Sequence, residues 1–244
     1  MSILPSPIRP ELALPASLGG FAVRLLSPDD LEAIVALRRE ALACLTHPDA
    51  YVVEDDETGF LLQHCGAGGV TVGLFEGQIL VAYAAVGFPA MDHPDNLGSH
   101  LGFAPERLGT VAHIASCMVR PAYRGHGLQG TLLKARFALA LAYGRRHCLA
   151  MVSLHNHPSR HNMLKQAMRI RWAGELRCGS HLLRRQVLHL DLRGRSDGAG
   201  PVEHWLGSDD LDAQRALLSA GWIGVADRYA SCGSAELGFA TCSP

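Results

Sequence analysis

Residues His113 to Leu133 read HIASCMVRPAYRGHGLQGTLL, and the reading of this stretch decides the fold. An apolar strand pattern runs into a turn with Arg120, Pro121 and Arg124, then the glycines Gly125, Gly127 and Gly130, then apolar residues at helical spacing. That order is strand, loop, helix. The first N–H groups of a helix have no carbonyl partner, and the aligned peptide dipoles add positive potential at that end, so such a start is an anion site. Glycines let a phosphate reach the backbone where a Cβ would block it.

Gly125 to Gly130, GHGLQG, fits the dinucleotide fingerprint GxGxxG. Two features speak against it. The fingerprint needs its first glycine tight against the strand end, yet Arg120 to Arg124 intervene; and no Asp or Glu between Glu106 and Glu175 is available for the ribose. A Walker loop fails because no GK[ST] follows. An NAD(P)-dependent oxidoreductase therefore stays only as an alternative.

The same residues, Val119, Pro121, Arg124 and Gly127, resemble the (Q/R)xxGx(G/A) signature that follows a VxP strand end in the GNAT superfamily of acyl-CoA-dependent N-acetyltransferases. Gln129 stands at the last small-residue position, with Gly130 next to it. After the following strand the family often shows NxxS, and Asn156 and Ser159 fit, with Ala167 and Met168 in place of the family's later Gly and Phe. The likeness covers about 21 to 192 and reaches toward 242. It implies an α/β fold, a GNAT-like mixed, mostly antiparallel twisted sheet flanked by helices, with acetyl-CoA as acyl donor. On this resemblance Arg124, Gly125, His126, Gly127, Leu128, Gln129 and Gly130 hold the pyrophosphate of coenzyme A. Cys117, Met118 and Val119 hydrogen-bond the pantetheine arm, and Asn156 and Ser159 contact the cofactor from the other strand. Helix capping explains Asn156 and Ser159 equally well.

The reaction implied is direct attack of an amine on the thioester, with proximity doing much of the work. An aliphatic ammonium with a pKa of about 10.4 is mostly protonated at neutral pH, so a base or water relay helps. The family often uses a Glu near the strand before the loop and a Tyr early in the helix after NxxS. This chain offers neither; Met163 lies about where that Tyr is often found. His113, on the strand before the loop, is the remaining base candidate, with His93 and His100 as lesser ones. Cys117 as a covalent nucleophile does not suit direct transfer. The missing Glu and Tyr also motivate an alternative, a catalytically silent coenzyme A binding module.

The chain of 244 residues, 48% hydrophobic, is long enough to bury a large core. Its net charge of −1 hides a segregation: residues 119 to 195 hold 15 Lys and Arg against Glu175 and Asp191, while the segments on either side are net acidic. A basic block after a glycine loop suits a polyphosphate, and acidic flanks suit a cationic co-substrate, here an amine-bearing acceptor, expected to be a small molecule. Seven cysteines without a CxxC pair argue against a disulfide framework or zinc ribbon. His157 and His161 are a helical turn apart, but no carboxylate or cysteine lies close in sequence, so no metal is expected. Basic charge without interleaved aromatics does not suit nucleic acid, and no such partner is expected. No apolar run approaches a membrane span and the start lacks signal-peptide character, which points to the cytoplasm; a monomer or homodimer is expected.

In chain order, 1 to 20 reads as a proline-rich arm and 21 to 242 as one domain, with 193 to 234 an insertion or C-terminal elaboration before a last strand. Within it the pattern predicts a strand at 21–26, helices at 31–42 and 51–65, and a hairpin of 70–75 with 78–88. A long loop at 89–109 precedes a strand at 110–119 and the helix after the glycines. Strands at 149–154, 182–192 and 236–240, and helices at 158–168 and from 208 to about 221, complete it.

Overall fold

The computed structural model describes residues 17–18, 20–66, 68–178, 181–194 and 199–241, so most of the expected arm lies outside the described residues. The chain enters as β1 (Ser17–Leu18) and β2 (Phe21–Leu25), passes through α1 (Leu31–Ala43) and α2 (Glu57–His64), and forms the hairpin β3 (Gly69–Glu76) and β4 (Ile79–Gly87). A loop carrying the short α3 (Pro105–Leu108) leads to β5 (Val111–Val119), α4 (Leu128–Ala142), β6 (His147–Ser153), α5 (His157–Lys165), β7 (Arg169–Cys178) and β8 (His181–Asp191). β9 (His204–Gly207), α6 (Leu211–Ser219), β10 (Ile223–Tyr229) and β11 (Ala235–Ala240) follow. The strands join in one sheet in the order β1-β2-β3-β4-β5-β6-β8-β7-β10-β11-β9. Every neighbouring pair is antiparallel except β5 with β6.

Local chemistry sets these elements. Before α1, the Asp30 carboxylate accepts the Ser27 N–H at 2.9 Å and a two-pronged bond from Arg24, which fixes the turn into the helix. Ile34, Leu37, Arg38 and Ala41 then form its buried face at helical spacing. The β3–β4 turn pairs Glu76 with Ile79 and needs Gly77 at φ +57°. α4 buries Leu128, Leu132, Leu133, Arg136, Leu139 and Ala140, and ends at Gly144 with φ +71°.

Helices cover both faces of the sheet. α4 packs with Val72, Ala84, Ile114, Cys148 and Ala150 into the larger core, while α1 and α2 cover Leu80, Tyr83 and Met118 on the other face. Complete burial of each such leucine or valine is worth about 1.5–3 kcal/mol. Those two layers hold β4 and β5 as a rigid floor, and the site is built at the C-terminal end of β5.

The sequence pattern and the structure part company at three places. The helix expected over 51–65 begins only at Glu57, where Asp56 caps it by accepting the Gly59 N–H at 2.8 Å; the residues before it bend inward instead. β7 and β10 were not expected, because each carries a bulge that breaks the alternation: Ile170 pairs with Leu188 but Trp172 with Val187, and Gly224 with Phe239 but Ala226 with Gly238. β9 has four residues, too few to show a period.

Candidate active site

β5 and β6 run parallel and pair only at Val111–His147, Ala112–Cys148 and His113–Leu149. Beyond these, β6 keeps its ladder with β8 through Ser153, and β5 runs on to Val119 alongside β4 alone. A bulge in β5 starts the divergence: Val86 pairs with Ile114 but Ala84 with Cys117, leaving one residue too many on β5. Arg136, fully buried on α4, donates from Nη1 to the Ala115 carbonyl at 3.1 Å and so holds the bulge from below. The result is a wedge between the two strands, with β5 backbone groups facing it that no strand satisfies. Such groups are the natural partners of an extended amide ligand.

The glycine loop closes the wide end of the wedge. Gly125 has φ +83° and Gly127 φ +72°, a region that L side chains rarely adopt, and a Cβ built on either would meet no atom within 4 Å. The glycines are therefore required by the backbone and leave room above the loop. Gly127 is the N-cap of α4, so that helix begins with free N–H groups beside the opening. Arg124 lies along the wall of the space, where its Nη2 donates to the Ala41 carbonyl at 3.1 Å and ties the loop to the C-terminus of α1. Loop and wedge together fit a pyrophosphate followed by an amide-bearing arm, which is the chemistry of coenzyme A.

Opposite the loop stands the start of α5. The Asn156 side chain accepts the Ser159 N–H at 3.2 Å and donates to the Ala50 carbonyl at 3.1 Å. Gln129 bridges the two helices, donating to Ser159 Oγ at 3.2 Å and accepting from Asn162 Nδ2 at 2.7 Å. Its length is what lets α4 and α5 be joined across the wedge.

One cavity of about 560 Å³ lies between these walls. Of the residues expected to hold the cofactor, Cys117, Met118, Val119, Arg124, Gly125, Gly127, Leu128, Gln129, Asn156 and Ser159 line it, and His126 and Gly130 do not. His126 is exposed, with Nδ1 3.0 Å from the Arg124 carbonyl, and Gly130 lies within the first turn of α4. Burial pushes the Cys117 thiol up, which keeps it protonated and a poor nucleophile.

His113 does not line the cavity. It sits where β5 is still paired on both sides, against Gly87 of β4 and Leu149 of β6, and its Nε2 accepts the Leu97 N–H at 3.1 Å. Burial, with the charges of His64, His93 and Arg145, lowers its pKa to about 3. A base for neutral-pH chemistry needs the opposite setting, a free nitrogen and a pKa near 7. His93 and His100 are also absent from the cavity wall.

A further wall, without a motif to mark it in the sequence, is formed by residues 41 to 51, which reach the cavity through Leu42, Leu45, Thr46, Ala50 and Tyr51. Behind it Arg38, 1% exposed, is a hub: it pairs with Glu54 at 2.9 Å and Glu57 at 2.5 Å, and donates to the hydroxyls of Tyr83 at 3.0 Å, Tyr51 at 3.1 Å and Ser116 at 3.2 Å. Tyr51 in turn donates to Glu54 at 2.9 Å. Burial raises the Tyr83 hydroxyl to about 12 and the Tyr51 hydroxyl above its ordinary value, so both stay protonated. A helical arginine with acids 16 and 19 residues on was the available signal, but only the bend at 51–56 brings them together.

A mostly antiparallel sheet with splayed parallel strands, opening onto a glycine loop at a helix start, is the architecture of an acyl-CoA-dependent N-acyltransferase. The model of the Acetyltransferase (GNAT) family matches residues 36–167, more than half of the chain, and the chain belongs to that family. It is an N-acetyltransferase that uses acetyl-CoA as acyl donor. Solved structures share the fold. An N-acetyltransferase from Staphylococcus aureus Mu50 aligns with a TM-score of 0.52 and 20% identity over 70% of this chain and 98% of that one. NAA60 of Arabidopsis thaliana, solved in complex with acetyl-CoA, gives 0.55 and 14% over 71% and 99%. The putative acetyltransferase yncA of Salmonella typhimurium, with its cofactor acetyl-CoA, gives 0.51 and 16% over 73% and 98%. No curated protein matches the sequence significantly. Among the described residues, no helix is long and apolar enough to cross a membrane.

Proposed function

We propose that the acceptor is the primary amine of a small cationic molecule, which meets the thioester beside Tyr51. The observation that carries this reading is that one cavity reaches both the glycine loop and Tyr51, on a segment whose acids are Asp49, Glu54, Asp55, Asp56 and Glu57. Arg38 offsets one of these five charges; the net negative charge that remains on the segment beside the cavity favours an ammonium, and the Arg38 hub holds Tyr51 in one place.

In this reading the backbone of Arg124 to Gly130 holds the pyrophosphate, and the free edge of β5 at Cys117 to Val119 holds the pantetheine arm. A backbone N–H near Met118 polarises the thioester carbonyl. The ammonium loses a proton to water, and the neutral amine, positioned by the Tyr51 hydroxyl that Arg38 and Glu54 orient, attacks the thioester carbonyl; the C–N bond forms, the C–S bond breaks, and the nitrogen's further proton leaves with coenzyme A as the free thiol. Tyr51 is a positioning residue here, because its proton is already given to Glu54.

The test is release of free thiol from acetyl-CoA across a panel of primary amines and peptides with free N-termini. Saturable turnover with a small amine supports the reading, and turnover with peptides alone overturns it. Tyr51→Phe is expected to raise KM for the amine several-fold and leave the affinity for acetyl-CoA unchanged.

A further inference from the structure

α5 has two working faces. Asn156, Ser159 and Asn162 turn to the cavity, while His157 and His161 turn away from it toward β10. The sequence offers that second face no acid nearby, but the fold does. Asp227 of β10, with a side chain 2% exposed, places Oδ1 2.7 Å from His161 Nδ1 and Oδ2 3.2 Å from His157 Nδ1. The three ligand atoms all lie within 4.8 Å of one another.

Hydrogen bonding accounts for only half of this cluster. His161 and Asp227 share a good bond, yet His157 Nδ1 and Asp227 Oδ2, both buried, have no hydrogen-bond partner despite lying 3.2 Å apart. Buried polar atoms without partners are rare and need a reason. Donor atoms that share a tetrahedral ion at bonds of about 2.0–2.1 Å stand roughly 3.3 Å apart without pointing at each other. Arg160 pairs with Asp227 in charge but gives it no hydrogen bond: its Nε is 4.0 Å from Oδ2 and itself unpartnered, and its Nη1 donates to the Leu154 carbonyl. The ring of Tyr229 packs 4.3 Å from that of His157 and closes one side, while His161, 39% exposed, leaves the other open to solvent.

We propose that His157, His161 and Asp227 bind one divalent transition-metal ion, with Zn2+ the best match, a water completing its shell. Two imidazoles one helical turn apart and a carboxylate from another element form a donor set that zinc favours. The ion ties β10 to the helix whose first turn walls the cofactor cavity. The Arg160 charge beside it weakens binding and makes the site exchangeable.

The experiment uses the full chain, stripped with a chelator and titrated calorimetrically with Zn2+ in the absence of acetyl-CoA. One saturable equivalent is expected, together with a higher Tm. Asp227→Asn and His161→Gln should each weaken binding by at least about tenfold. His161 is partly exposed, so His161→Gln keeps the fold. A Co2+-loaded sample should show the visible bands of a low-coordinate site, lost in His161→Gln. His47→Gln, in the separate group of half-buried His47 with exposed Asp49 and His155, serves as the control and should leave the Zn2+ affinity and stoichiometry unchanged. A folded wild-type protein that takes up no Zn2+ overturns the proposal, as does undiminished binding by His161→Gln or loss of binding in His47→Gln alone.

Discussion

At Gly127 a single residue satisfies a backbone requirement and leaves a ligand its space. With φ +72°, an alanine there is strained by about 1–2 kcal/mol, and the open volume above it means no clash adds to that. Gly127→Ala is expected to fold with a Tm lowered by a few degrees, whereas Gly127→Asp adds a negative charge at the proposed pyrophosphate position and should abolish acetyl-CoA binding in calorimetry. Gly77→Ala is the matched control, since Gly77 has φ +57° and equally open surroundings but lies in the β3–β4 turn; equal loss of binding there would remove the loop from the site. Arg38 makes the second residue-scale case. Arg38→Met leaves Glu54 and Glu57 without their cation and removes one donor from each of the Tyr51, Tyr83 and Ser116 hydroxyls, which keep only the bonds they share with one another and with Glu54, and about 2–4 kcal/mol should be lost in urea unfolding. The glycines were legible in the sequence because their conformation is local. The settings of His113 and Tyr51 were not, because each depends on a partner from elsewhere in the chain: the Leu97 N–H in one case, Arg38 in the other.

Among elements, the α4–α5 contact bears most on the cavity, and Gln129 is its hinge pin. In the sequence that residue looked like a lapse from a small-residue motif; in the structure it joins Ser159 and Asn162 across the wedge. Gln129→Ala should cost about 1 kcal/mol for the hydrogen bonds lost and raise KM for acetyl-CoA several-fold with kcat nearly unchanged, as expected when binding geometry but not chemistry is altered. An unchanged KM would mean that α5 keeps its place without the bridge. The elements that could be read in advance, the β3–β4 hairpin, α1, α4 and β8, carry capping or turn residues or a long apolar run; the hairpin stays legible despite its bulge at Val81 because both its strands are apolar on both faces. β7 and β10 could not, because bulges at Arg171 and Val225 shift the period midway. The wedge itself was hidden for a similar reason, as a β5 bulge between Ile114 and Cys117 leaves no mark in residue type.

For the whole molecule, buried histidines set the pH range in which the fold is stable. The acid–base segregation of the sequence is partly resolved by pairs across its blocks, Arg120 with Glu40 and Arg146 with Asp191 within the basic one, and Arg160 near Asp227. Two paired carboxylates titrate low: hydrogen bonds from Arg24 lower Asp30 to about 2, and those from Arg146 hold Asp191 below the usual carboxylate range. Their contributions persist until the pH falls below about 3.9, so they are constant near neutrality. His113 and His189 behave differently. Burial, aided at His189 by the neighbouring His147 at 3.1 Å, lowers each to about 3, against about 6.5 in an unfolded chain. Between those values the unfolded chain binds protons that the folded one refuses, so stability rises with pH, is complete above about 6.5 and declines as the pH falls toward 3. Each histidine contributes up to about 1.4 kcal/mol per pH unit in that interval. Scanning calorimetry should therefore show a Tm nearly level from pH 7.5 to 8.5 and falling steeply from pH 6.5 to 5, before any paired carboxylate titrates. His113→Gln, whose amide oxygen can still accept the Leu97 N–H but cannot be protonated, should flatten that slope. A Tm unchanged between pH 7 and 5 in the wild type would show that neither histidine is held neutral by the fold.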